Sequence, residues 1–325
     1  MDARELLERY AKGDRDFRGA NLIGVDLTRA NLSGINLAGA SLGTAHLSRT
    51  NLKGANLSGA FLFRADLSFA KIHEARLAKA DLTKADLRGA YLVKSILTDV
   101  KLSGALLEGV NLRLANLAGV NLCGSDLREI NFRSANLRGA NLSWANLTGA
   151  KLSGALLEGA LLHGAKLTRA FMNGVNFNQV DLDGVDFRAA YLSGANFSGV
   201  NLAVANLSYS QLRTTYLARA NLRAANLEGA TLTRAGLTEA DLTKANLQAA
   251  NLAEADLTGA RLNQANLYEA DLQHSSLRDA YLWGANLGKA CLNGANLANA
   301  SLRGAKLEGV QMRGVNLVGA LLPEL

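Results

Sequence analysis

Proline occurs once in 325 residues, cysteine twice and methionine three times, and aromatic residues make up 6% of the chain. The lone proline, Pro323, leaves nothing inside the sequence to break a regular backbone. Cys123 and Cys291 are too few for a disulfide framework. The four histidines, His46, His73, His163 and His274, are scattered, and none has a Cys or His companion at metal-ligand spacing. No metal and no cofactor are therefore expected. No apolar run reaches the length of a membrane span and no signal-peptide pattern opens the chain, so the expectation is a cytoplasmic protein without a membrane partner. Asp183 follows Asp181 two positions later on the same side, and paired carboxylates can do acid–base work. That work needs a desolvated cleft, which an outer wall does not supply. No catalytic residue is assigned, and the protein is expected not to be an enzyme.

What fills the chain instead is a five-residue unit, Ala-Asn/Asp-Leu-x-Gly, as in Ala20-Asn21-Leu22-Ile23-Gly24. It runs in one phase from Phe17 to Leu322 through 62 units, and 54 of the central residues are Leu. A helix would set successive leucines about 140° apart and give no apolar stripe. A plain strand would send alternate leucines to opposite faces. The remaining solution is a short extended piece followed by a corner. The small residue two before each Leu points inward with it, the Asn or Asp between them points out, and x-Gly turns the chain. Repeated turns of one sense wind a β-helix; the period alone does not say how many sides each coil has. Met172, Phe177, Phe187 and Phe197, with Val175, Val180, Val185 and Val200, mark a thicker stretch, expected to be core matched to itself rather than a cavity.

The motif resembles the pentapeptide-repeat family, whose consensus is A(D/N)LxX. That resemblance implies an all-β fold, a right-handed quadrilateral parallel β-helix with twenty residues per coil and about fifteen coils. Residues 1–16 break the repeat and are expected to form a helical cap, with Leu6, Leu7 and Tyr10 as its apolar face and Gly13 as its end. Residues 17–325 form the β-helix, so the chain is expected to be a single continuous domain. The spacing Leu7-x-x-Tyr10-x-x-Gly13-x-x-x-Phe17 looks like the start of cyanobacterial members. At the far end, Pro323 in Leu321-Leu322-Pro323-Glu324-Leu325 either blunts the last strand edge or leaves it to pair end to end with another copy of a protein otherwise expected to be a monomer. About eight coils separate the two cysteines, which excludes a disulfide between them.

On a twenty-residue coil the net charge of +7 concentrates on one side. The third side, centred on Leu32 and each twentieth residue after it, carries nine basic and three acidic residues; the other three sides are each within two charges of neutrality. Lys53, Lys71, Lys94, Arg113, Arg133 and Lys151 supply one cation per coil there, and Phe171 and Tyr191 follow on the same side. Basic residues beside aromatics suit an acidic protein or a nucleic acid. The family is mostly without enzymatic activity, and some cyanobacterial members act on regulators by protein contact. The expectation is a non-catalytic scaffold or regulator that docks an unidentified protein on this side. The alternative is nucleic-acid binding along the same cations. A third reading, imitation of DNA towards DNA gyrase as in the quinolone-resistance members, fits poorly, because those surfaces are acidic and this one is basic.

Overall fold

The computed structural model describes residues 1–323; Glu324 and Leu325, the last two residues of the C-terminal segment considered above, lie outside the described residues. The chain divides into two compact units, Met1–Leu162 and His163–Leu325, whose described residues are built on one plan. Each is a right-handed quadrilateral β-helix whose rungs are parallel bridges between residues twenty apart, such as Asn31↔Asn51 in the first unit and Asn226↔Asn246 in the second. Walls I, II, III and IV are centred on Leu22, Leu27, Leu32 and Leu37 and on each twentieth residue beyond.

The five backbone donors of a unit are fully accounted for, and that explains the motif. In Ala55-Asn56-Leu57-Ser58-Gly59, the Ala55 N–H donates back to the Leu52 carbonyl at 3.0 Å and closes the turn. The Asn56 N–H donates to Ile35 of the preceding coil at 2.9 Å. Leu57 and Gly59 donate to Arg76 and Ala78 of the next coil at 2.7 and 2.9 Å. Only the Ser58 N–H has no backbone partner, and the Asn56 side-chain oxygen accepts it at 3.1 Å. Asn or Asp before each Leu is thus the acceptor for the fifth donor, an Asx turn repeated along the chain. Amides also stack between coils, as where Asn246 donates to Asn226, Asn266 to Asn246 and Asn286 to Asn266, each at 3.1 Å. The turn acceptor is the more frequent of the two roles.

The turn demands positive φ at the fifth residue, +65° at Gly59. Many units put another residue there, and Val204 is the least suited of them. Its φ is 53°, it is β-branched, and it is 68% exposed. Val204→Gly is expected to raise the unfolding free energy by about 0.5–1 kcal/mol, the relief of αL strain less the added freedom of the unfolded chain. A urea titration checks it; a loss of stability would mean that the side chain holds something in place.

Inside, the Leu and Ala columns are almost wholly buried, with Leu32, Ala55, Leu57, Ala225 and Leu227 at 0% exposure. Phe177 and Phe197 stack at 4.4 Å and Phe187 stands edge-on to both at 5.9 Å; all three are fully buried, so the aromatic part of the thick stretch is filled core, whereas Val180 and Val200 line a surface hollow. Helix α1 (Ala3–Ala11) caps the first unit. Asp2 accepts from the Glu5 N–H at 2.8 Å, Leu6 is fully buried, and the Tyr10 hydroxyl donates to the Ser33 carbonyl at 2.7 Å. Leu7 departs from the expected apolar face: one residue on from Leu6 lies about 100° round the helix, and it is 37% exposed. In the second unit the last inward residues, Leu307, Val310, Met312, Val315 and Leu317, are half-buried, because among the described residues no further coil covers them.

Candidate partner-binding wall

Wall III of the first unit carries all six candidate cations. They do not form one file. Lys71 and Lys151 stand just before the central residue of their units, Lys53, Arg113 and Arg133 just after it, and Lys94 at the corner, with φ 59°. Lys151 is half-buried and the other five are exposed. Successive rungs run Asn51↔Lys71↔Tyr91↔Asn111↔Asn131↔Lys151, so neighbouring cations are about 5 Å or a small multiple of it apart along the wall.

Among the described residues none of the six enters an ion pair. The first unit's ion pairs lie instead around α1 and on walls II and IV. The cause is visible in the repeat. On wall II, Asp86-Leu87-Arg88 and Asp126-Leu127-Arg128 clamp their own arginine, with Arg88 donating to Asp86 at 3.0 and 2.6 Å and Arg128 to Asp126 at 2.8 and 2.7 Å. On wall III the equivalent units read Asn111-Leu112-Arg113 and Asn131-Phe132-Arg133. The neutral amide accepts only the backbone N–H, at 3.2 Å in both, and leaves the guanidinium to solvent. Asn in place of Asp is what keeps this wall charged.

Tyr91, which the sequence reading passed over, completes the surface. It shares the column of Lys71 and Lys151, is 44% exposed, and meets His73 edge-on at 5.7 Å. The signal was its position, twenty residues from Lys71. In the second unit Phe171 and Tyr191 stack face to face at 4.6 Å with planes 1° apart. Phe171 is half-buried and Tyr191 is 41% exposed. The three acidic residues of wall III are Glu74, Glu254 and Asp271, and Glu254 is paired with Arg234 at 2.7 Å.

The wall II clamps have a pH consequence. Hydrogen bonds from Arg88 and Arg128 hold the Asp86 and Asp126 carboxyls below the ordinary value of 3.8. A carboxylate whose pKa is lowered in the folded state favours folding above its unfolded value and loses that contribution as pH falls through the folded one. The denaturation midpoint is therefore expected to hold from pH 7 to about 5 and to fall below about 4. Asp86→Asn with Asp126→Asn should lessen the fall, since Asn still accepts the backbone N–H, while other lowered carboxyls such as Asp81 and Asp186 keep the remainder. An equally steep decline in the double variant would place the pH dependence elsewhere.

The remaining polar residues show no assembled chemistry. Asp181 accepts the Asp183 N–H at 3.1 Å, an ordinary Asx turn, and Asp183 lies 3.3 Å from His163. Among the described residues no group of three His, Cys, Asp or Glu could hold a metal ion, and no helix is long and apolar enough to cross a membrane. Cys123 and Cys291 are both free.

Comparison with known proteins gives the following. A family model of pentapeptide repeats in eight copies matches in overlapping stretches from 16–43 to 140–179, and again over 245–284 and 284–319. A second model, a pentapeptide repeat region, matches residues 170–247. No curated protein matches the chain. Among solved structures it is similar to HetL, a pentapeptide repeat protein involved in heterocyst differentiation regulation from the cyanobacterium Nostoc sp. strain PCC 7120. Identity there is 29% over 100% of this chain and 98% of that one, with a TM-score of 0.18. It is also similar to Rfr23 from the cyanobacterium Cyanothece 51142, at 23% identity over 59% of this chain and 92% of that one, with a TM-score of 0.15. The plasmid-mediated fluoroquinolone resistance protein QnrB1 matches at 20% identity over 61% of this chain and 91% of that one, with a TM-score of 0.27.

Proposed function

Since the chain belongs to the pentapeptide-repeat family, we propose that it is a non-catalytic interaction protein that docks an acidic protein surface on wall III of its first unit. The observation that carries this reading is the row of cations that the wall keeps outside any ion pair, with Tyr91 among them. Arg88 and Arg128 on wall II are spent on their own Asp neighbours, and the six cations of wall III in the first unit are left for a partner. Arg and Tyr together are the side chains that dominate protein interfaces, the one giving forked hydrogen bonds and the other a rigid apolar face.

A photo-crosslinking residue placed at position 91, with a control at Tyr281 on wall I of the second unit, tests the proposal in cells. A protein adduct formed from position 91 alone, and surviving nuclease treatment, is the expected result. An adduct lost on nuclease treatment would replace the acidic protein by a nucleic acid. Adducts from position 281 and none from 91 would overturn the choice of wall.

A further inference from the structure

Wall I closes with regular rungs in both units except at two places. In the first unit, six donors that should cross between neighbouring coils make no ladder bond: the N–H groups of Asp99, Leu102, Gly104 and Leu107 towards the next coil, and those of Asn121 and Asp126 towards the preceding one. In the second unit five of the same positions, eighty residues on, are open as well: Gln179, Leu182, Gly184, Asn201 and Asn206; Phe187, the counterpart of Leu107, keeps its bond to Asn206 at 2.8 Å. The rungs between 101 and 121 and between 181 and 201 are missing accordingly; in the first unit the opening runs on into wall II, where the rung between 106 and 126 is missing, whereas Asp186↔Asn206 is kept in the second. At both levels walls III and IV stay closed, through Asn111↔Asn131 and Asn116↔Asn136 in the first unit and Tyr191↔Gln211 and Asn196↔Tyr216 in the second.

One sequence feature coincides with both openings. The inward residue two before the central Leu on wall I is Ala everywhere except at Val100, Val120, Val180 and Val200. These four make two stacked pairs, and each pair sits at an opening. Where a single Val lies against Ala the ladder is closed, as at Asp81↔Lys101, Asn121↔Asn141 and Asn201↔Asn221. Two branched side chains one rung apart need more room than the coil spacing gives, so the overpacked wall parts. Wall III accommodates Val110 under Ile130 with its bond intact at 2.9 Å, so the parting starts on wall I and leaves wall III closed. Water reaches the parted core: Val180 and Val200 are each 8% exposed and Ala105 is 9%, against zero for most inward residues. A hollow of about 480 Å³, with Gln179, Val180, Ser198, Gly199, Val200 and Asn201 in its lining, marks the opening of the second unit.

We infer that wall I carries a built-in opening point in each unit, at Val100 against Val120 and at Val180 against Val200, where the tube flexes about the closed walls III and IV. The unbonded peptide groups there have no ladder to break before exchanging with solvent, so each opening is the place where its unit yields first. Arg113 and Arg133 face each other on the closed side of the first unit's opening, so flexing there changes the spacing of their charges. That consequence rests on the proposed partner wall; the opening itself does not.

Residue-resolved amide hydrogen exchange on the free full-length protein tests it. Leu102, Gly104 and Asn121 should exchange at least roughly tenfold faster than Leu112 and Asn131, which belong to the same two coils. Val120→Ala should slow the first group and leave Leu182, Gly184 and Asn201 unchanged, and Val200→Ala should do the reverse. Both variants only trim a side chain to the residue the wall otherwise uses, and circular dichroism checks their fold. Equal protection on walls I and III, or exchange unchanged in both variants, would overturn the inference. Loss of partner binding with these exchange rates unaltered would bear on the proposed function alone.

Discussion

Leu112→Asp is expected to unfold the coils around it, whereas Arg113→Asp, one residue along, should leave the fold intact. Leu112 is 3% exposed and lies between Leu92 at 1% and Phe132 at 0%; Arg113 is exposed. The first substitution removes about 1.5–3 kcal/mol of side-chain burial and adds the penalty of a buried carboxylate with no cation within the core, several kcal/mol more. That total is comparable with the whole stability of an ordinary domain, about 5–15 kcal/mol. Because each coil rests only on its neighbours, the damage should spread outward from the altered rung until intact coils hold it. The second substitution falls in the range of exposed changes, within about 0.5 kcal/mol. Thermal unfolding followed by circular dichroism, with limited proteolysis to map the lost coils, separates the two. If Leu112→Asp melts within about two degrees of the parent, the inward column is misassigned.

This contrast between adjacent residues was visible in the sequence because it rests on period alone. A five-residue unit with Leu at its centre can bury that residue every time only by turning at each unit, whatever the shape of the coil. The number of walls was not visible. It depends on the φ of the corner, and the same motif tolerates Gly59 at 65° and Val204 at 53° in that place. Resemblance supplied the four sides, and the bridges at twenty-residue spacing show them. The capping helix was visible as an interruption of the repeat, but its buried face was not: Leu6 and Leu7 are equally apolar, and only one of two successive helical residues can face the tube.

Charge was legible as a count and illegible as pairing. Wall II has nine cations and ten anions, a tally that does not say that Arg88 and Arg128 are held by the Asp two residues before them. The difference between Asp-Leu-Arg and Asn-Leu-Arg is one atom type at one position, and its effect appears only once the Asx turn is known to point that side chain at the arginine's own backbone. The openings of wall I were in plain sight as four valines. They went unread because Val and Ala are equivalent inward residues to a hydrophobic pattern, and the misfit arises only between residues twenty apart.

Reversing Lys94, Arg113 and Arg133 to Glu is expected to weaken binding of an acidic partner at least a hundredfold and to leave the fold unchanged. All three are exposed, none is in an ion pair among the described residues, and their backbone bonds use atoms that Glu also has. Each reversal replaces an attraction by a repulsion of similar size, about 1 kcal/mol per site at a surface, so three together exceed about 2.7 kcal/mol, a hundredfold in Kd. The change also lowers the net charge from +7 to +1, which would slow the approach of any anion whatever surface it meets. Arg64, Lys84 and Lys101 on wall I provide the control: they are exposed in the same unit, and their reversal alters net charge equally. Loss confined to the wall III triple, shrinking as salt rises and screens the contact, is the expected outcome. Equal loss in both triples would reduce the effect to net charge, and unaltered binding in the wall III triple would remove that wall as the docking surface.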